Sequence, residues 1–142
     1  GRLTPSAAWP VLVDTNVLLD VATEDPLWFH WSASRLSQAA NRDGLAINPI
    51  VYAGLSVHYD TLEALETALS GHPFARLALP WDAAFVAGKA FRRYRSRGGS
   101  KRSPLPDFYI GAHAAVAGLV LLTRDAKRYR DYFPRLKLVA PA

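Results

Sequence analysis

The feature that most constrains the fold of this chain is a short apolar segment that ends in an acid. Val11–Val13 is apolar at every position, which is typical of a strand buried on both faces of a parallel sheet. Asp14 follows directly, and an unpaired carboxylate at the edge of a core costs several kcal/mol. Open α/β sheets form their ligand crevice at the carboxyl ends of the strands, so the pattern places Asp14 at such a crevice.

Short apolar segments alternate with helical patterns along the rest of the chain, which indicates an α/β fold. Further strands are predicted at residues 45–47, 74–79, 119–122 and 136–139. Helices are predicted at residues 17–22, 26–41, 49–57, 61–69, 81–94 and 108–117. Asn16 is the predicted N-cap of the first helix, and Pro26 is placed in the first turn of the second. No repeat or linker interrupts the chain, so a single domain over residues 2–142 is predicted.

Composition excludes several classes of protein. The 142 residues contain no cysteine, which rules out a disulfide framework and a thiolate metal site and suits a cytoplasmic protein. No apolar run approaches the roughly 18 to 20 residues that span a bilayer, and the first residues lack the apolar core of a signal peptide. We therefore expect no membrane association.

The net charge of +5 comes from one stretch of the chain. Residues 83–106 contain no acid, and their cations are Lys89, Arg92, Arg93, Arg95, Arg97, Lys101 and Arg102. A block of this kind favours contact with a polyanion, and nucleic acid is the common one. The alternative is a solvated helix end, since cations also stabilise a helix C-terminus.

Two further aspartates occupy positions like that of Asp14. Asp125 follows the apolar residues 119–122, and Asp107 leads a helix of small residues. Each acid alone is explained as a helix N-cap. Three carboxylates drawn together without Lys or Arg nearby would repel one another, and a hard divalent cation would resolve the repulsion. Oxygen ligands suit Mg²⁺ or Mn²⁺, and metal-bound acids beside a basic stretch predict phosphodiester hydrolysis.

Two other residue types bear on the site. The histidines are scattered, and both His30 and His113 are interpreted as structural because no metal-ligand spacing accompanies them. Gly54 is an anomaly, since glycine in a helix interior costs about 1 kcal/mol relative to alanine. Nothing in the sequence around it calls for a turn or a positive φ.

Four segments together resemble the PIN-domain ribonucleases, and most closely the VapC toxins of toxin–antitoxin pairs. They are VLVDTNVLLD at 11–20, INPIVYAGLSV at 47–57, LPDFYIGAHAAVAG at 105–118 and LLTRDAKRYRDYFP at 121–134. The resemblance implies a PIN-like three-layer α/β/α sandwich with a mainly parallel central sheet. It also implies an Mg²⁺- or Mn²⁺-dependent endoribonuclease that cleaves RNA, forms a homodimer and is blocked by a VapB-like antitoxin.

The same resemblance assigns roles to particular residues. Asp14, Asp107 and Asp125 match metal-binding acids of the family. The polar residues that orient ligands or metal-bound water match Thr15, Asn16 and Thr123. The remaining family acid, usually a Glu after Ala, falls on Gly54, so the resemblance predicts weakened or lost activity through a natural or an engineered change.

Two other functions stay open at this point. One is a non-catalytic PIN-like module that binds RNA or protein while its acids merely cap helices, a view that Gly54 supports. The other is a phosphatase or DNA nuclease that uses the same acids, because protein contacts to phosphate carry no base identity.

Overall fold

The computed structural model describes residues 10–99 and 105–142, which form a central sheet covered by helices. The sheet has five strands in the order β3-β2-β1-β4-β5, and every neighbouring pair is parallel. The strands are β1 Val11–Val13, β2 Leu45–Ile47, β3 Phe74–Arg76, β4 Leu121–Leu122 and β5 Leu138–Val139. The predicted α/β fold with a parallel sheet is confirmed, and most of the strands are shorter than predicted.

Seven helices in the described residues flank this sheet, consistent with a three-layer α/β/α arrangement. They are α1 Thr15–Ala22, α2 Phe29–Arg42, α3 Pro49–Ser56, α4 Leu62–Leu69, α5 Trp81–Ser96, α6 Leu105–Ala117 and α7 Ala126–Tyr132. Within the described residues, no helix has both the length and the apolarity that a membrane span requires.

The core lies around the three central strands. Every residue of β1, β2 and β4 is buried, whereas the edge strands β3 and β5 are partly exposed. Continuous burial explains why these strands are apolar at every position instead of alternating. The carboxyl ends of β1 and β4 therefore emerge side by side at one edge of the sheet, where Asp14 and Thr123 follow them.

The predicted starts of the first two helices are wrong. The N-cap of α1 is Asp14 and not Asn16, because the Asp14 carboxylate accepts the Thr15 backbone N–H at 2.7 Å. The second helix begins at Phe29, three residues after Pro26, because Asp25 first closes a turn by accepting the backbone N–H groups of residues 27 and 28.

The cap of α3 is confirmed. Asn48 accepts the Val51 N–H at 2.9 Å, with Pro49 as the first helical residue. The Asn48 amide also donates to Nδ1 of His113 at 3.0 Å, and both side chains are buried. His113 thus joins α6 to the start of α3, which agrees with its structural interpretation, and burial lowers the pKa of its ring.

Gly111 of α6 sets how closely α7 approaches. A Cβ atom at this position would lie 2.6 Å from Cε2 of Phe133 and 3.0 Å from Cδ1 of Tyr129. Both rings are buried against α6. The absence of a side chain at Gly111 is therefore what seats Tyr129 deep in the molecule.

We expect Gly111→Ala to destabilise the protein by about 1 to 3 kcal/mol, because two buried rings must shift to admit the methyl group. Gly88→Ala is the matched control, since Gly88 lies exposed inside α5 with no atom within 4 Å of an added Cβ. That change should stabilise the protein by up to about 1 kcal/mol through helix propensity. Urea unfolding of the three proteins measures both effects, and equal effects of the two substitutions would contradict the packing argument.

Candidate functional site

Asp14 lies at the carboxyl ends of the strands, and only 3% of its surface is exposed. Among the acids of the described residues, only Asp20 is more buried. The Oδ2 atom of Asp14 accepts the hydroxyl of Thr123 at 2.8 Å and that of Tyr129 at 3.0 Å, while Oδ1 accepts the Thr15 N–H. No cationic side chain of the described residues forms an ion pair with it. Neutral donors from the turn after β4, from α7 and from α1 thus hold this carboxylate.

The charge on Asp14 is incompletely compensated by these donors. Burial, reinforced by the nearby Asp107 carboxylate, raises the pKa of Asp14 from 3.8 to about 6, although the hydrogen bonds from Thr123, Tyr129 and Thr15 act in the opposite direction. Burial and the negative charge of Asp14 also raise the pKa of Tyr129 well above its usual range. The phenol therefore stays protonated and donates, and the site would gain from positive charge.

Asp107 does not cap α6, because the helix begins at Leu105 and includes it in the first turn. Its Oδ2 atom lies 2.5 Å from Nη1 of Arg128 on α7. Burial raises the pKa of Asp107, the hydrogen bond and charge of Arg128 lower it, and Asp125 raises it again. The expectation that no Lys or Arg lies near the three acids is therefore wrong.

Asp125 stands at the start of α7 but makes no side-chain capping bond. Its backbone N–H donates to the Thr123 hydroxyl at 3.0 Å, and that hydroxyl donates onward to Asp14. Thr123 thus links two of the predicted metal-binding acids. Asp125 lines a pocket of about 220 Å³ together with residues of α5 and α7: Tyr94, Lys127, Arg128, Asp131 and Tyr132.

The three aspartates offer the type of ligand that a hard divalent cation prefers, but their side chains are not spaced to bind one ion together. Asp107 acts electrostatically on Asp14, and Asp125 acts on Asp107, so all three belong to one cluster of charge. Their donors are carboxylate oxygens, which suit Mg²⁺ or Mn²⁺. Among residues 10–99 and 105–142, however, no three acids or histidines are grouped closely enough to hold a metal as they stand. Direct bridging of one ion by all three stays a prediction.

Gly54 of α3 faces the residue that follows Asp14. A Cβ atom at position 54 would lie 3.0 Å from Oγ1 and 3.1 Å from Cγ2 of Thr15. The glycine therefore allows α3 to approach the first turn of α1 closely, which is a packing reason for it that the sequence did not reveal. A longer side chain at this position would begin beside the Asp14 segment.

The model of the PIN domain family matches residues 11–133 of the chain. The chain belongs to the PIN domain family. Solved structures with the same fold include VapBC2 from Rickettsia felis bound to a promoter DNA fragment, with a TM-score of 0.68, 19% identity, and coverage of 93% of this chain and 98% of that one. No curated protein matches the chain.

Two further toxin–antitoxin structures have the same fold. VapBC-1 from nontypeable Haemophilus influenzae gives a TM-score of 0.68 at 22% identity, covering 93% of this chain and 98% of that one. A toxin–antitoxin complex from Klebsiella pneumoniae gives 0.66 at 24% identity with the same two coverages. Identities this low establish the shared fold and nothing finer.

Two residues that contact the acids of this PIN domain escaped the sequence analysis. Tyr129 and Arg128 lie on α7, where they contact Asp14 and Asp107 respectively. The available signal was Tyr129 itself, an aromatic residue between charged residues of α7, four positions after Asp125. Residues four apart lie on the same face of a helix, so Tyr129 is expected on the face of α7 that Asp125 begins.

Asn16 and Arg124 fasten the loop that carries Asp125. The Asn16 side chain accepts the Arg124 backbone N–H at 3.3 Å. The Arg124 guanidinium binds both carboxylate oxygens of Asp20, at 2.8 and 2.9 Å, and Ser32 donates to the same carboxylate at 2.7 Å. The Asn16 side chain therefore holds the backbone of the turn before α7. Both carboxylate oxygens of Asp20 already accept hydrogen bonds.

The predicted basic surface lies partly beside the acids. Lys101 and Arg102 fall outside the described residues. Arg93 donates to the Tyr132 carbonyl at 3.2 Å, and the Arg97 guanidinium lies 5.2 Å from the centre of the Tyr132 ring. Tyr132 lines the pocket of Asp125, so both arginines contact a residue of that pocket. The other described cations, Lys89, Arg92 and Arg95, are exposed along α5.

Metal-free protein should lose stability as the pH rises. Because the folded-state pKa of Asp14 lies above its ordinary 3.8, the folded protein holds a proton that the unfolded chain releases, so its contribution is full below about pH 4 and is lost as the pH passes about 6. A shift of about two units corresponds to about 3 kcal/mol. Urea unfolding in EDTA between pH 4 and 8 should show this loss in the wild type relative to Asp14→Asn, whereas parallel curves would contradict it.

Proposed function

We propose that this PIN domain is a metal-dependent endoribonuclease of the toxin–antitoxin type whose activity is weakened by Gly54. The observation that carries the proposal is the buried Asp14 carboxylate, linked through Thr123 to Asp125 and electrostatically coupled to Asp107. Membership of the PIN family supports a nuclease, and the acids at its strand ends supply the oxygen ligands that phosphodiester hydrolysis with Mg²⁺ or Mn²⁺ requires.

Asp14, Asp107 and Asp125 are the residues that would hold the metal. When bound, Mg²⁺ or Mn²⁺ supplies an activated water and stabilises negative charge on the phosphate. The chain's own contribution is orientation, because Thr123 and Tyr129 fix the Asp14 carboxylate from two different elements. Tyr129 keeps its proton next to Asp14, so it stabilises the ionised form of the acid without adding negative charge.

RNA is the substrate that we propose. Its proposed binding site is the basic surface formed by the cations of residues 89–102, which begins on α5. Arg93 and Arg97 contact Tyr132, which lines the pocket together with Asp125, so a phosphate backbone held by them would pass near the acids. Lys89, Arg92, Arg95, Lys101 and Arg102 would extend this contact. Charge alone does not distinguish RNA from DNA, which is why cleavage of both must be compared.

We further propose a VapB-like antitoxin as partner, a homodimer and a cytoplasmic location. The structures with the same fold are described as VapBC or toxin–antitoxin complexes, which supports the antitoxin. We also propose that residues 2–142 form a single domain, to which the PIN match over residues 11–133 lends support.

The second candidate function is a non-catalytic PIN module. Gly54 favours it, because this glycine packs on Thr15 and stands where the family resemblance expects a Glu. Arg128 also favours it, because it already neutralises Asp107. Metal-dependent RNA cleavage by the chain with Gly54 in place would exclude this alternative.

Gly54→Glu should tighten Mn²⁺ binding and increase RNA cleavage, because it adds a carboxylate beside the Asp14 segment. Gly54→Gln is the matched control, since it brings the same contact with Thr15 and nearly the same volume without the charge. We expect the contact with Thr15 to offset part of the roughly 0.5 to 1 kcal/mol that removal of a helix glycine contributes. Calorimetry with Mn²⁺ and cleavage of RNA and DNA oligonucleotides measure the two effects.

The role assigned to position 54 is wrong if the wild type already cleaves RNA as fast as Gly54→Glu. Asp20 is a poor substitute in that case, because Arg124 and Ser32 occupy both of its oxygens. Equal gains from Gly54→Glu and Gly54→Gln would point to packing instead of metal binding. Cleavage of DNA in preference to RNA would replace the proposed substrate.

Charge reversal at Arg93 and Arg97 should weaken RNA binding and flatten its dependence on salt, because each phosphate contact releases counterions. Arg135→Glu is the control, since this exposed residue precedes β5 and so lies at the opposite edge of the parallel sheet from Asp125. Fluorescence anisotropy with a labelled RNA oligonucleotide over a range of KCl concentrations gives affinity and slope. Identical slopes for the three proteins would remove the basic surface from the binding site.

A further inference from the structure

Arg128 has an unusual position for a cation in a site that is proposed to bind metal. Its Nη1 atom lies 2.5 Å from Oδ2 of Asp107, which is one of the three acids of the site. It also lines the pocket that contains Asp125. Within the described residues, this guanidinium is the only group that forms an ion pair with any of the three acids.

We propose that Arg128 and the divalent cation compete for the Asp107 carboxylate, so that Arg128 neutralises the acid cluster in the metal-free protein and leaves it when metal binds. This inference rests on the proposed function, because it assigns a role within the same site. It adds a residue that sets how tightly the site binds metal.

Competition between the two cations follows from charge. A guanidinium has five N–H donors and no lone pair, so it cannot join the metal as a ligand. A metal ion held by the Asp107 carboxylate would stand next to the Arg128 guanidinium, and the two positive charges would repel. Each cation therefore weakens binding of the other at Asp107.

Arg128 is free to leave in a way that Arg124 is not. The side chains of Arg128 and Asp107 are 32% and 36% exposed, so the released guanidinium would pass directly into water. Arg124 instead binds both oxygens of Asp20, a carboxylate with 2% exposure that would be left charged and buried. The two arginines lie four residues apart, yet burial of the acid partner makes one pair permanent and the other exchangeable.

The acid cluster explains why a resident cation is needed there at all. Asp14 has neutral hydrogen-bond donors only, so Arg128 supplies the positive charge that a metal would otherwise bring. With Gly54 in place of an acid, one arginine neutralises a larger share of the site's charge.

The test compares Mn²⁺ binding to the wild-type chain, Arg128→Gln, Arg128→Lys and Arg130→Gln by calorimetry at fixed ionic strength. Arg130 is on the same helix and is exposed, so Arg130→Gln removes the same charge without touching Asp107. We expect Arg128→Gln to bind Mn²⁺ roughly fivefold tighter than Arg130→Gln, as loss of a competing ion pair of about 1 kcal/mol implies. Arg128→Lys should fall between the wild type and Arg128→Gln.

A second measurement follows the guanidinium itself. In the wild type, Mg²⁺ should shift the Nε–H nuclear magnetic resonance signal of Arg128 as it is released, while the Arg124 signal stays in place. Equal Mn²⁺ affinities of Arg128→Gln and Arg130→Gln, weaker binding by Arg128→Gln, absence of binding by every variant, or an Arg128 signal that ignores Mg²⁺ would each overturn the proposal.

The outcomes also separate this proposal from the proposed function. If Arg128→Gln tightens Mn²⁺ binding while Gly54→Glu cleaves no RNA, the competition stands and the nuclease function fails. If Gly54→Glu cleaves RNA and Arg128→Gln binds Mn²⁺ no better than Arg130→Gln, the function stands and Arg128 has no part in setting metal affinity.

Discussion

The burial of one carboxylate at the end of β1 is the constraint on which the site depends. Asp14 is almost inaccessible to water, and an acid in that position must be held by donors from the surrounding elements. Thr123 after β4, Tyr129 on α7 and the Thr15 N–H of α1 supply them. The same acid thus caps a helix, joins two strand ends and stays poised near neutral pH, because burial raises its pKa to about 6.

Two glycines determine how near the surrounding helices come to that carboxylate. Gly111 admits the rings of Tyr129 and Phe133, so that the Tyr129 hydroxyl reaches Asp14. Gly54 admits Thr15, the first residue of α1. The absence of a side chain at Gly111 lets Tyr129 reach the site. At Gly54, by contrast, a side chain is absent where the family resemblance expects an acid. The glycine brings α3 into close contact with Thr15 at the position where we propose that an acid would act.

Positive charge reaches the site from α7 and the turn before it. Arg124 and Arg128 each bind an aspartate on a different helix, and the exposure of that aspartate decides what the pair does. In the Arg124 pair the acid, Asp20, is buried, and the pair anchors the turn between β4 and α7. In the Arg128 pair the acid, Asp107, is partly exposed, and it is one of the acids that we propose as metal ligands.

The sequence alone determined the parallel sheet, the position of Asp14 at a strand end, the cap at Asn48 and the anomaly at Gly54. Each of these depends on neighbours within a few residues, where hydrophobic periodicity and capping chemistry act. Only the tertiary structure decided that Asp14 and not Asn16 caps α1, that Tyr129 reaches across 115 positions to Asp14, and that Arg128 neutralises Asp107. The last two contacts join residues far apart in the sequence, so they follow from how the helices pack on the sheet, which no local pattern encodes. The cap was undecided locally because Asp14 and Asn16 are both good capping residues two positions apart.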